Sequence, residues 1–239
     1  MGQVYVRNHM TEYPVNIGPR DTLSKALQAI YSGRYEGLPV VEGGQVVGLI
    51  TEKGVLRAYT ATEALQNKRA GKPVAGLPFE SYALGDPQDP VFLSDFLREH
   101  TVDEVMNRTT ITVHWDEPLE RAAYLMKERG YSILPVLNDE QKLVGVISKS
   151  DLFDAMVQIF GYDKPGYRLV LAVDNRPGQV AGVTLVAKRL GINISAVALH
   201  DVNLMHTMTL VMKVETDDPQ PLVEALRQTH YVVREVQKI

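Results

Sequence analysis

The sequence predicts a mixed α/β (α+β) protein built from two copies of one unit of roughly fifty residues and a third domain of βαββαβ order. Three observations predict it. A shift of 96 residues lays Met10 on Met106, Leu23 on Leu119, Ala26 on Ala122 and Pro39 on Pro135, and one further residue brings Gly48 onto Gly145. Within each copy a helically spaced set of apolar residues precedes two short apolar runs. After residue 166 the pattern changes to longer alternating runs separated by two helical stretches. The domain boundaries read as 1–57 for the first copy, 58–99 for an insertion, 100–160 for the second copy and 166–239 for the third domain.

Each copy has one order of elements. An extended start leads into a polar turn, Pro19-Arg20-Asp21 or Asp116-Glu117-Pro118, in which Asp21 or Asp116 is placed to cap a helix. The helix carries Leu23, Ala26, Leu27 and Ile30 in the first copy and Leu119, Ala122, Ala123 and Met126 in the second. The runs Leu38-Pro39-Val40-Val41 and Leu134-Pro135-Val136-Leu137 read as strands. Turns at Glu42-Gly43-Gly44 and Asn138-Asp139-Glu140 return the chain to a second strand, 46–50 or 143–147, and a second helix closes the unit. Neither copy is large enough to cover both faces of its small sheet, so packing copy against copy is the economical arrangement.

The insertion holds Gly71, Pro73, Gly76, Pro78, Gly85, Pro87 and Pro90, a density of breakers that predicts irregular structure between short helices. Its aromatics, Phe79, Tyr82, Phe92 and Phe96, are too many for a featureless linker, and packing over the module or contact with a partner both remain open. In the third domain, Tyr167 to Val173 reads as a strand, Gly178 to Leu190 as a helix and Ile192 to Leu199 as a strand. Met205 to Val214 reads as another strand, Pro219 to Thr229 as a helix and Tyr231 to Val236 as the last strand, which is a ferredoxin-like order.

Composition excludes several function classes. The chain has 239 residues, no cysteine and a formal charge of -4. Disulfides, thiolate nucleophiles and cysteine zinc sites are absent. No Lys/Arg block offers the footprint that a phosphate backbone demands, so no nucleic acid is expected. No apolar run reaches the length of a membrane span and the start lacks a leader pattern, so no membrane partner and a cytoplasmic location are expected. His9, His100, His114, His200, His206 and His230 are scattered without a metal spacing. P-loop, nucleophile-elbow and GxGxxG patterns do not occur. Neither an enzyme nor a resident cofactor is expected.

The order strand, helix, LPVV, turn, VVGLIT, helix, present twice, resembles a tandem pair of CBS domains, the Bateman module, over residues 4–57 and 100–158. The resemblance implies a cleft with two pseudo-symmetric sites for adenosine compounds such as AMP, ADP, ATP, NAD or S-adenosylmethionine, acting as regulatory ligands. Its most diagnostic residues are a glycine, a Ser/Thr three residues on and an Asp three residues after that. The second copy has Gly145, Ser148 and Asp151; the first has Gly48 and Thr51, but Gly54 in place of the acid. A carboxylate can accept hydrogen bonds from both ribose hydroxyls, and Ser148 lies one helical turn away on the same face. The bland alternative is that Ser148 caps the helix and Asp151 favours its positive end.

Mapped within the second copy, the resemblance adds Met106, Thr109, Ile111, Tyr131, Ser132 and Pro135 beside Ser148 and Asp151, with Thr51 marking a weaker first-copy site. Met106, Ile111 and Tyr131 equally suit core or interface packing. Phosphates would want a cation, and Arg129, Lys149, His114 and Arg34 are candidates. With no acid at Gly54, one good nucleotide site per chain is expected.

The stretch Asn175 to Ile194 resembles the start of an ACT domain, a regulatory module that commonly binds amino acids at dimer interfaces. That resemblance covers 166–239 and points to Asn175, Arg176, Gly178, Gln179 and Asn193 as ligand residues, although Pro177 and Gly178 also suit the start of a helix. Two CBS copies followed by an ACT domain in a short chain resemble the acetoin-utilisation AcuB-type family. The expectation is a ligand-sensing homodimer that regulates an unknown protein. The alternative is an oligomerisation or interaction scaffold whose sites are vestigial.

Overall fold

The computed structural model describes residues 4–69, 90–203 and 207–239, in two compact units, Met1–Leu152 and Phe153–Ile239. The first unit begins with a 3-10 turn, Val6–Asn8, and a two-residue strand β1, Thr11–Glu12. Helix α1, Leu23–Gly33, buries Leu23, Ala26, Leu27 and Ile30, the stripe that the sequence predicts. Its N-cap is Thr22, whose side chain accepts the Lys25 N–H, and not Asp21. Asp21 is diverted: its carboxylate accepts the Gly18 N–H at 2.9 Å and pairs with Lys25 at 2.7 Å.

Strands β2, Leu38–Glu42, and β3, Gln45–Ile50, form an antiparallel pair, and α2 runs Glu52–Arg69. Within the insertion, α2 continues to Arg69 and α3 covers Pro90–Glu99, while residues 70–89, where the irregular structure between helices is expected, lie outside the described residues. Phe96 is 4% exposed within the first copy's core, edge-on to Tyr59 at 5.5 Å between ring centroids. The end of the insertion thus fills core beside α1 and α2. Phe79 and Tyr82 lie outside the described residues.

The second copy repeats the plan with a short α4, Val102–Val105, then β4, Val113–His114, α5, Leu119–Arg129, β5, Ile133–Leu137, and β6, Leu143–Ser148. Pro118 occupies the N-cap of α5 and Asp116 pairs with Arg7, so the expected Asp116 cap is not formed. Every residue of β5 is buried, which explains its unbroken apolar run.

The sheets show how the copies interlock. Their order is β1-β6-β5-β4 in one four-stranded sheet, with Thr11 opposite Val146 and Glu12 opposite Gly145. The first copy's lead-in segment therefore pairs with the second copy's last strand. The reverse also holds: Asn107 bridges Leu49 through main-chain bonds of 3.1 and 2.8 Å. Where these segments cross, a side chain on the strand would collide. A Cβ on Gly48 would lie 2.7 Å from Met106 Sδ, and one on Gly145 2.5 Å from Met10 Sδ. Leu49, Ile133 and Val146 form a small buried cluster joining the two sheets.

Helix α6, Lys149–Ile159, spans the division between the two units. The second unit continues with β7, Tyr167–Asp174, α7, Gln179–Arg189, β8, Asn193–Asn203, β9, Thr207–Glu215, α8, Gln220–Gln228, and β10, Val232–Lys238. The expected βαββαβ order is present as an antiparallel sheet of order β10-β7-β9-β8. Met205, the expected start of the third strand, lies outside the described residues. One sheet face buries Leu169, Leu171 and Val173 from β7 and Leu210, Met212 and Val214 from β9. Against them pack Val183, Val186 and Ala187 of α7 and Leu222, Val223 and Leu226 of α8.

Candidate functional site

The crossing segments decide which residues meet. Because Met106 and Asn107 run along β3, the second copy's loop from Arg129 to Ser132 comes to the first copy's motif at the start of α2. A cavity of about 610 Å³ opens there, with Thr51, Gly54 and Arg57 on one side and Asn107, Arg129 and Tyr131 on the other. Ser132 also lines it, while its carbonyl accepts the Lys149 N–H at 2.9 Å. A grouping of these residues with Ser148 and Asp151, as the same-copy mapping expects, is not what the cavity shows: neither motif residue of the second copy lines it. The physical reason is the strand exchange, which sends each lead-in segment to its neighbour's sheet.

The remaining second-copy candidates have structural positions. Met106 is 7% exposed and belongs to the first copy's core. Thr109 closes a turn, its N–H and hydroxyl both donating to Asn107 Oδ1, and its carbonyl accepts the Tyr131 hydroxyl at 3.1 Å. Asn107 Nδ2 donates to the same tyrosine oxygen at 3.2 Å, so Tyr131 is fixed from two sides. Pro135 is buried in β5 opposite Val146, and Ile111 is half-buried just ahead of β4.

The two motifs differ in chemistry. Thr51 Oγ1 accepts the Gly54 N–H at 3.1 Å, an ordinary helix cap. In the second copy the cap is reciprocal: Ser148 Oγ accepts the Asp151 N–H at 3.2 Å, while Asp151 Oδ2 accepts the Ser148 N–H and hydroxyl, both at 2.7 Å. Both readings of Ser-x-x-Asp are therefore compatible with this geometry. Oδ2 serves the cap, and Oδ1 receives no hydrogen bond among the described residues.

Charge around the cavity is uneven. Its two acids are engaged: Glu52 Oε1 accepts the Tyr31 hydroxyl at 2.5 Å, and Glu36 Oε1 accepts the Ser150 hydroxyl at 3.0 Å. The Glu52 hydrogen bond, aided by burial, pushes the Tyr31 phenol up to about 12. The guanidinium groups of Arg57 and Arg129 form no ion pair among the described residues, and Lys53 adds a third cation to the lining. Of the four candidate cations, only Arg129 reaches the cavity; Lys149, His114 and Arg34 do not line it, and His114 pairs with Asp139 at 3.1 Å. Lys53, Arg57 and Asn107 escaped sequence reasoning. The signal for Asn107 was present in the recurrent pairing of a methionine at 10 and 106 with a glycine at 145 and 48.

In the second unit the five proposed ligand residues do not converge on one cavity. Asn193 lines an open groove of about 640 Å³ with Ala181, Thr184, Leu185 and Lys188, and its amide donates to Glu215 at 2.6 Å. Asn175, Arg176, Gly178 and Gln179 do not line the groove; Arg176 pairs with Asp174 at 3.1 Å. Gly178, at φ 90°, is the N-cap of α7, a backbone conformation that explains the glycine without a ligand. No helix among the described residues is long and apolar enough to cross a membrane.

Comparison with known proteins bears on the first unit. The family model for the CBS domain matches residues 6–61 and 102–158. A CBS domain-containing protein of Dictyostelium discoideum is 27% identical over 158 residues, 66% of this chain and 94% of its own length. An L-aspartate semialdehyde sulfurtransferase of Methanocaldococcus jannaschii is 24% identical over 148 residues, and the chain spans only 22% of its length. Among solved structures, CBSX2 in complex with AMP is 22% identical, with a TM-score of 0.47, covering 66% of this chain and 98% of that one. A Vibrio cholerae chain named for acetoin utilization (AcuB) is 20% identical, with a TM-score of 0.49, covering 68% of this chain and 96% of that one.

Proposed function

We propose, from the tandem CBS module that residues 6–61 and 102–158 form, that the chain is a ligand-sensing regulator whose CBS cleft binds an adenosine compound. One observation carries the reading: the cavity at Thr51 is walled by both copies, so a ligand in it touches both and biases how they pack. Its volume falls in the range of small-molecule sites, and its polar groups converge from two elements. At the second motif, Asp151 Oδ1 is the acceptor available to a ribose diol, with Ser148 beside it. AMP, ADP, ATP, NAD and S-adenosylmethionine are the ligands to test.

The second unit is proposed as an ACT domain, which makes the order of domains that of the AcuB-type family. Its βαββαβ order supports this, and its two edge strands, β8 and β10, support pairing of two chains into a homodimer. An amino acid in its groove is part of the same proposal. Signal would pass as a coupling between cleft occupancy and the packing that a partner protein reads.

Thermal shift of the full chain against each adenosine compound and a panel of amino acids tests the reading. A saturable rise in melting temperature with at least one adenosine compound is expected, because a ligand that binds only the folded state stabilises it. No shift with any of them, at concentrations that saturate ordinary regulatory sites, would leave the chain as an oligomerisation scaffold.

A further inference from the structure

We infer that the cavity at the start of α2 selects phosphorylated ligands by charge and is indifferent to the ribose 2′-hydroxyl, so that the two halves of the cleft take different ligand classes. The inference rests on reading the cleft as an adenosine-compound site.

The internal repeat supplies the comparison. Gly54 stands where the second copy has Asp151, Arg57 where it has Asp154, Lys53 where it has Ser150, and Arg129 where the first copy has Gly33. At each of these positions the side chains that line the cavity are more positive than their counterparts, while Glu52, where the second copy has Lys149, and Gly130, where the first has Arg34, run the other way. The two acids in the lining are each held by a hydroxyl, while Arg57 and Arg129 have no ion-pair partner among the described residues. Guanidinium groups match phosphate oxygens in geometry as well as charge, and they stay charged at any physiological pH. A sulfonium or other cationic ligand would meet like charge there.

Ribose recognition in this cavity turns on Gly54. The motif positions offer the neutral Thr51 hydroxyl and no carboxylate at 54, and the two carboxylates of the lining, Glu52 and Glu36, are each already engaged by a hydroxyl, so the vicinal diol finds no charged acceptor from this motif. Space is not the obstacle. A Cβ built on Gly54 meets only Thr51 Oγ1, at 3.3 Å, and the backbone there is ordinary helix, so an aspartate can be installed. In the second copy the aspartate already present makes the equivalent contact with Ser148.

Titration calorimetry on the full chain separates the two halves. An Asp151→Asn variant silences the diol-binding half, and ADP, 2′-deoxyADP, adenosine and S-adenosylmethionine are the probes. This variant is expected to retain ADP binding, to bind 2′-deoxyADP equally well, and to bind adenosine and S-adenosylmethionine at least about tenfold more weakly. In that background Arg129→Gln and Arg57→Gln should each weaken ADP on the order of tenfold without changing adenosine, and Arg129→Lys should recover part of the loss. Gly54→Asp should make ADP preferred over 2′-deoxyADP by about tenfold. Loss of all ADP binding in Asp151→Asn, unchanged ADP affinity in both arginine variants, or S-adenosylmethionine binding as tightly as ADP overturns the inference while leaving the cleft reading intact. Wild-type protein that binds none of the four overturns the cleft reading itself.

Discussion

Replacing Gly48 by alanine tests the strand exchange on which the cavity depends. The added Cβ would lie 2.7 Å from Met106 Sδ and 3.1 Å from both Met106 Cγ and the Asn107 carbonyl oxygen. The thioether is flexible and can swing aside. The carbonyl cannot recede so easily, because the Asn107 main chain is held to Leu49 by bonds of 3.1 and 2.8 Å. Overpacking of this kind costs about 1–3 kcal/mol. Urea unfolding of Gly48→Ala should show a lower midpoint with an unchanged slope. Gly54→Ala serves as the control: its Cβ meets only Thr51 Oγ1 at 3.3 Å within a helix, and helix propensity favours alanine there by roughly 0.5–1 kcal/mol. Met106→Ala relieves the collision but empties a site that is 7% exposed. The double variant should therefore be more stable than the sum of the singles, by at least about 0.5 kcal/mol. A Gly48→Ala protein as stable as wild type, or a strictly additive cycle, would refute the exchanged pairing.

Three further outcomes follow from particular side chains. Phe96→Ala should cost about 3–5 kcal/mol in chemical unfolding, because the ring is 4% exposed in the first copy's core; a surface-like effect would show that the insertion's end does not belong to the module. Asp21 is held below its ordinary 3.8 by the Lys25 hydrogen bond and then by the Gly18 N–H. A depressed acid stabilises the fold above that value and loses the contribution as pH falls through the folded pKa. Asp21→Asn should thus lower the melting temperature near neutral pH, by about 1 kcal/mol of stability, with the difference closing in acid well below 3.8; a difference that is constant with pH contradicts this. Lys213, 2% exposed, donates to the Gly161 and Lys164 carbonyls, and Lys213→Met should destabilise the second unit by about 1–3 kcal/mol in a thermal melt, whereas a neutral or stabilising effect would show that water replaces the ammonium.

Much of the fold was legible because its signals are local. The stripe Leu23, Ala26, Leu27 and Ile30 declares α1, and the alternation Leu169, Leu171, Val173 declares β7, whatever surrounds them. The exchange of lead-in segments was not legible, since β1 is two residues long and would look the same paired with either copy. Its trace was indirect, in glycines at 48 and 145 that a strand does not otherwise need. The cap of α1 was misplaced by one residue because Asp21 and Thr22 are both good caps, and the nearby Gly18 N–H draws the aspartate away. In the insertion, most breakers fall between residues 70 and 89, outside the described residues, whereas Pro90 opens α3, a position at which a missing N–H costs nothing. The site suffered most, since its lining joins positions from opposite copies. Asp151 was found by its motif, but Arg57 carries no motif and emerges only when the cavity is seen.

Hydrogen exchange of the full chain with and without ADP tests the central claim most directly. A ligand between the copies should slow exchange at residues 51–57 and at 129–132 together, because those segments come from different copies and meet at the cavity. Unchanged exchange in both segments, or protection confined to the second unit, would contradict an adenosine-compound site in the CBS cleft.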